Sequence, residues 1–292
     1  MQRVSTSNFK TITKEKMKKT YLIIPFILLF FSNCEKVVEI DLPSIEPKLI
    51  IDASFEVLFD EAPVTANTVV KLKLSADYFE ETIPTVSDAI VFLTNVEDNS
   101  IINFVDANLN GNFEPLARFI PQDNIEYELT VIYKNQTYKG KATKVKSTSF
   151  QSATQGDETL FSGEETEIKV AFKDSADAEN YYLFNFTNNL FLALEDRFFN
   201  GTDYNFSFFY QEDEIELPTT VMLSMSGITE DYFTYFRILQ NQSGTNGGGP
   251  FQSVPSSLLG NIINTTNEAN FPLGYFHISE TATLNLDLVE KN

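Results

Sequence analysis

Apolar residues that recur at every second position constrain this chain most. Val70-Leu72-Leu74, Tyr127-Leu129-Val131-Tyr133, Ile168-Val170-Phe172 and Tyr204-Phe206-Phe208-Tyr210 each alternate with mostly polar neighbours. Successive side chains of a strand point to opposite faces, so this spacing buries one face and wets the other. Residues 48–57, 89–94, 101–105, 137–145, 181–187, 220–226 and 281–288 also read as strands, and most are separated by Asn, Asp, Gly or Pro clusters. Many short strands at such spacing predict a mainly β chain built as antiparallel sandwiches. Within 146–163 (KSTSFQSATQGDETLFSG) small polar residues replace the alternation for longer than a hairpin needs. The expected division is a first sandwich over 48–146, a linker over 147–163 and a second β-rich domain over 164–292. One helix is predicted in the second half, over 229–242. Thr229 is its candidate N-cap, Glu230 and Asp231 suit its first turn, and Tyr232, Tyr235, Phe236 and Leu239 form a stripe that packs on the sheet.

The first 33 residues differ in kind from the rest. They hold Arg3, Lys10, Lys14, Lys16, Lys18 and Lys19 against one acid, Glu15, and then run into the apolar stretch 21–31 (YLIIPFILLFF). That stretch is far short of the roughly 18 residues a helix needs to cross a bilayer, and Pro25 interrupts it. It reads as the core of a signal peptide covering 1–33, with Met17-Lys18-Lys19 as the expected true start. Phe31-Ser32-Asn33-Cys34 follows directly, placing the chain's sole cysteine where a bacterial lipoprotein receives its lipid. Cys34 is therefore the expected attachment point, and several acyl chains make such anchoring stable. Residues 34–47 (CEKVVEIDLPSIEP) form an acidic tether in which Pro43 and Pro47 discourage helix.

The whole chain has 21 bases and 41 acids, and the leader takes six and one of them, which leaves a net charge of about −25. Such a field repels polyanions, so nucleic acid is excluded as a partner. With Cys34 carrying lipid, no disulfide can form, and the fold must stand on its core.

Candidate chemistry is sparse. His277 is the sole histidine, and its alternation with Phe276 and Ile278 predicts a surface position. A Ser-His-Asp arrangement would have to use it, yet no G-x-S-x-G elbow exists, and a second imidazole for zinc is missing. Glu164, Glu165 and Glu167, and Glu212, Asp213, Glu214 and Glu216, are expected to be solvated loop acids. Two carboxyls facing across a cleft could cleave glycosides, an arrangement that spacing in sequence does not provide. Asp106-Ala-Asn108-Leu-Asn110-Gly111 reproduces the opening of a calcium loop, but Ala117 stands where the closing glutamate belongs, and a plain hairpin turn is the expectation. The Gly-rich 243–250 (SGTNGGGP) lacks the Gly-Lys-Ser/Thr ending of a phosphate loop. Asp174-Ser175-Ala176 fits a short bacterial O-glycosylation pattern. No catalytic, cofactor-binding or metal-binding set is assigned.

Taken in order, Cys34-Glu-Lys-Val-Val-Glu-Ile-Asp-Leu-Pro, Pro47-Lys-Leu-Ile-Ile-Asp, Asp88-Ala-Ile-Val-Phe-Leu, Tyr127-Glu-Leu-Thr-Val, Asp196-Arg-Phe-Phe-Asn-Gly201, Pro250-Phe251, Gly260-Asn261-Ile262 and Gly274-Tyr275-Phe276 resemble the Bacteroidota lipoprotein family called domain of unknown function 4249. The resemblance implies an immunoglobulin-like or transthyretin-like first domain, a second β-rich domain and residence in the outer membrane, facing the cell surface. It also implies a genomic neighbour, a SusC-like TonB-dependent transporter, as protein partner. The family has no established catalytic residues to carry over.

The expected function is a non-enzymatic, lipid-anchored accessory that captures cargo for a transporter or gates it. The alternatives are an assembly subunit of an envelope complex and a glycan-binding or glycan-active protein. Mass mapping of a precursor whose processing is blocked should find peptides from residue 17 onward, and peptides from residues 1–16 would refute the Met17 start.

Overall fold

The computed structural model of the protein describes residues 46–76, 80, 82–243 and 258–290. Cys34, the leader, nearly all of the tether and the glycine run 244–250 lie outside them. The chain is mainly β, with a large sheet, a second small sheet and a single helix among the described residues. In the first half the strands are β1 (Leu49–Leu58), β2 (Thr65–Asn67), β3 (Val70–Leu74), β4 (Ile90–Asn95), β5 (Ile101–Val105), β6 (Asn112–Pro115), β7 (Glu126–Tyr133) and β8 (Gln136–Val145). In the second half come β9 (Phe150–Gln155), β10 (Thr166–Lys173), β11 (Tyr181–Asn185), β12 (Phe191–Glu195), β13 (Asp203–Tyr210), β14 (Thr219–Ile228), the helix α1 (Glu230–Gln242), β15 (Ile262–Asn264) and β16 (Leu273–Leu288).

Alternation becomes strand as expected. β1 buries Leu49, Ile51, Ala53, Phe55 and Val57 on one face and leaves the residues between them half-buried. It pairs antiparallel with β2 and β3 and parallel with β16. From β16 the strand order runs β1-β3-β6-β5-β4-β7-β8 and then returns, because Lys144 and Val145 of β8 also pair with Ile278 and Ser279. This closure leaves the first half with few free edges, which protects it from pairing with other chains. Inside it Ile51, Phe55, Leu72, Leu93, Leu129, Val131, Phe276 and Ile278 pack together. Tyr127 turns the corner at the start of β7. Its hydroxyl accepts from the Gln122 backbone N–H at 3.1 Å, a contact that immunoglobulin-like sandwiches use at the same kind of corner.

The second half is a two-layer sandwich. One layer is the end of the large sheet, β12-β11-β14-β16, and the other is β13-β10-β9. Aromatic rings fill the space between them. Phe186 and Phe208 stack at 3.8 Å, Phe172 meets Tyr182 edge-on at 5.2 Å, and the buried Tyr210 hydroxyl donates to the Phe186 carbonyl. Such pairs contribute about 1 kcal/mol each beyond their burial. Residues 147–163, read from sequence as a linker, carry β9, which pairs with β10 over Ile168–Phe172 positions.

The two halves share β16. Its first part pairs with β1 from Leu273 to Thr281, and its last part pairs antiparallel with β14 from Thr281 to Leu288. Phe276 and Ile278 accordingly belong to the first core, and Ala282 and Leu288 to the second. The described residues form one compact unit. Phe276 is fully buried and meets Phe55 edge-on at 5.4 Å. Phe276→Ala should remove about 3–5 kcal/mol of stability. Urea unfolding followed by far-ultraviolet dichroism and by tyrosine fluorescence should then shift in parallel for the two probes.

Candidate functional site

The sheet face opposite the sandwich cores carries the site. α1 begins where the sequence predicts, because the Thr229 side chain accepts from the Tyr232 N–H at 3.1 Å and Glu230 and Asp231 sit in the positive first turn. Its buried residues Tyr232, Phe233 and Phe236 pack with Leu183 and Ile228, and Phe191 meets Phe236 edge-on at 5.4 Å. The stripe thus seats the helix on β11, β12 and β14. Beyond it the face turns polar, with Asp52 and Ser54 on β1 registered beside Tyr275 and His277 on β16.

A cleft of about 450 Å³ opens between α1 and the start of β16. Tyr235, Ile238 and Asp231 line it from the helix, Leu258, Leu259 and Asn261 from the segment before β15, and Tyr275 from β16. Its floor is built by close backbone approach. Gly274 has φ +103°, and a Cβ there would lie 2.0 Å from the Ile51 carbonyl oxygen. A Cβ on Gly260 would lie 1.7 Å from the Gly274 oxygen. The next residue, Asn261, uses its side chain as a strand. Its Nδ2 donates to the Phe276 carbonyl at 2.7 Å, and its Oδ1 accepts from the Phe276 N–H at 2.9 Å. Tyr235 and Tyr275 lie 4.9 Å apart at 50°, so their rings form a bent wall.

His277 is not on the surface, contrary to the alternation argument. It is 8% exposed, because the face opposite Phe276 and Ile278 is itself covered by α1, with the Tyr232 ring stacked on the imidazole at 4.1 Å. Burial holds the imidazole's pKa down at about 4 against a weaker pull upward from the Asp52 charge, so it is neutral at physiological pH. Ser54, Asp52 and His277 are neighbours, but they are not wired as a nucleophilic triad. Ser54 Oγ donates to Asp52 Oδ1 at 2.8 Å, the Tyr232 hydroxyl shares a hydrogen bond with Ser54, and His277 Nδ1 meets Ser279 Oγ at 3.2 Å. A nucleophilic serine would give its proton to the imidazole. Here the proton goes to the carboxylate.

The remaining sequence candidates have structural work. Glu165 and Glu167 are buried instead of solvated. Glu165 accepts backbone N–H groups from Leu160, Ser162 and Gly163, which hold its carboxyl near a pKa of about 2, and Glu167 accepts from Ser207 Oγ and the Glu158 N–H. Asp106 spends its two oxygens on the N–H groups of Asn110, at 3.2 Å, and Gly111, at 2.7 Å, while the Asn110 side chain accepts from the Asn112 N–H. The hairpin Asp106–Asn108–Asn110 is thus a hydrogen-bonded turn with Leu109 and Gly111 at positive φ. Asp174 is buried and accepts from the Tyr182 hydroxyl and the Gly201 N–H, leaving the next residue, Ser175, exposed. Among the described residues no group of three or more His, Cys, Asp and Glu side chains is placed to hold a metal ion.

Residues 35–285 match the family described as Domain of unknown function (DUF4249). The chain belongs to that family. No curated protein matches it. Among solved structures, a DUF4785 family protein from Legionella pneumophila subsp. pneumophila str. Philadelphia 1 shares 13% identity over 62% of this chain and 51% of its own, with a TM-score of 0.21. The chain therefore spans about half the length of that protein. The chicken interferon gamma receptor alpha chain shares 11% identity over 62% of this chain and 88% of its own, with a TM-score of 0.18. Likenesses this shallow carry no weight for fold or function.

Gly260-Asn261-Ile262 and Gly274-Tyr275-Phe276, two of the segments on which the family resemblance rests, meet at the cleft floor. Asp52 and Ser54 were missed as neighbours of His277, because β1 and β16 lie at opposite ends of the described chain. The glycines were the available signal, since close approach of two backbones leaves no room for a Cβ.

His277 makes a pH prediction with a defined sign. Between pH 6.5 and about 4 the unfolded chain binds a proton that the fold refuses, so stability should fall by up to about 3 kcal/mol as pH drops through that window. The charge that bears on it is Asp52, and the phenol ring stacked on it is that of Tyr232. Glu165 titrates lower, between 4.5 and about 2. Thermal melts from pH 7 to 4 should show the slope in the native chain and a flatter one in His277→Phe.

Proposed function

We propose that this DUF4249 protein is an outer-membrane lipoprotein, anchored through Cys34, that serves a SusC-like TonB-dependent transporter as a non-enzymatic accessory. In this reading it takes cargo in the cleft between α1 and the start of β16. The observation that carries the reading is the cleft itself. Its walls offer two phenol rings, Tyr235 and Tyr275, and apolar surface from Ile238, Leu258 and Leu259, while Asp231 adds negative charge at the helix end. A concave site of apolar walls with few polar groups suits a small amphipathic molecule that is neutral or cationic. The leader and lone cysteine support export and anchoring. The transporter as partner is what the resemblance to the family implies.

The neutral, covered imidazole and the Ser54 proton given to Asp52 favour binding over hydrolysis in this part of the molecule. Affinity purification of the full chain from mild detergent, followed by mass spectrometry, should recover a large β-barrel protein. Recovery of the lipoprotein alone under several gentle conditions would overturn the partnership. Tyr235→Asp should keep that recovery while causing a cargo-specific growth defect. Broad envelope sensitivity without a cargo-specific defect would favour the assembly-subunit alternative.

A further inference from the structure

The segment between β9 and β10 holds an aromatic ring wholly in solvent. Phe161 is 102% exposed, and its neighbour Leu160 is 48% exposed. The backbone beneath them is nevertheless fixed. Glu165 Oε2 accepts from the Leu160 N–H at 3.0 Å and the Gly163 N–H at 3.1 Å, while Oε1 accepts from the Ser162 N–H at 3.0 Å. Gly163 makes the turn at φ +84°, and the Glu164 N–H donates to Ser162 Oγ at 3.1 Å. One step along β10, Glu167 accepts from the Glu158 N–H at 3.0 Å, and the Gly156 N–H donates to the Glu167 carbonyl at 2.9 Å. Two buried carboxylates thus hold the loop in one shape, yet the ring it presents adds nothing to the core.

That combination has a use in recognition. A docking loop whose backbone is already ordered loses little entropy on binding, and rigid exposed aromatics are the side chains that dominate interface energies. The charge around the tip selects the partner. Asp157, Glu158 and Glu164 are exposed beside it, and no Lys or Arg occurs between residues 147 and 168. A second copy of this acidic chain, or an anionic bilayer, would meet the tip with repulsion. We infer that Phe161, with Leu160 beside it, inserts into an apolar socket on another protein, and that Lys and Arg side chains rim the socket.

This surface is separate from the cleft. Gln155, at the end of β9, exchanges hydrogen bonds with Val289, just past the end of β16, at 2.8 and 2.9 Å. The cleft lies at the start of β16, and a strand of 16 residues extends roughly 50 Å. The inference therefore stands whether or not the cleft takes cargo.

The test places a photoreactive phenylalanine analogue at position 161 of the full chain in its native cells. After irradiation, the crosslinked peptides are mapped by mass spectrometry. The expected result is one partner polypeptide, joined at an apolar surface with Lys or Arg beside the joined residue. Replacing the rim together, Asp157→Asn, Glu158→Gln and Glu164→Gln, should lower the crosslink yield by roughly tenfold at low salt. Glu165→Gln should also lower it by loosening the loop. Phe161→Ser should leave the melting temperature unchanged, since the ring packs on nothing. Crosslinks to lipid, to a second copy, to many unrelated proteins or to none would overturn the proposal, as would a rim-neutralised chain that crosslinks as well as the native one.

Discussion

The parallel pairing of β1 with β16 is the constraint on which the rest depends. It joins strands from the two ends of the described chain, so it closes a very long loop and is among the most non-local contacts in the fold. Once made, it closes the first half by lending it Phe276 and Ile278, and it leaves the last turns of β16 free to pair with β14. One strand thereby serves two cores. Gly274 marks how closely the backbones approach at its start, since any side chain there would strike the Ile51 carbonyl.

The same pairing creates the polar face. Asp52, Ser54 and His277 are adjacent because β1 and β16 run side by side, and the imidazole is buried because the Tyr232 ring of α1 lies over it. A neutral imidazole under a tyrosine ring suits that place, whereas a charged one would need water or a close counter-ion. Elsewhere buried carboxylates organise loops. Glu165, Glu167, Asp174 and Asp196 each accept backbone N–H groups and so satisfy donors that the turns would otherwise strand. An acidic composition that reads as solubility in sequence therefore includes groups that shape the structure.

Much of the strand pattern was legible. β3, β7, β10 and β13 fall on the period-two segments within a residue or two, β5 falls on the strand read at 101–105, and α1 starts at the cap that its residues announce. β9 escaped because Gln, Ser, Ala and Thr carry little apolar signal, and β12 because the helix cluster covers Phe191 and Ala193 on one face and the second core covers Leu192 and Leu194 on the other, so that its residues are half-buried without alternation. The first half of β16 was read as polar outside and apolar inside. The pattern was right and the inference about solvent was not, since a second layer can cover either face of a strand.

The sequence by itself determined the class of the molecule. Period-two alternation demands sheets, the N-cap and first-turn acids demand a helix after β14, and a lone cysteine behind a short apolar run makes an anchor the natural reading. Only the tertiary structure decided which residues meet. Asn261 pairs with the backbone of Phe276, Ser54 gives its proton to Asp52 and Tyr232 covers His277, all through contacts between segments distant in the chain. Periodicity reports which way a side chain points from its own strand. What waits on that side is settled by packing, which depends on the whole chain at once.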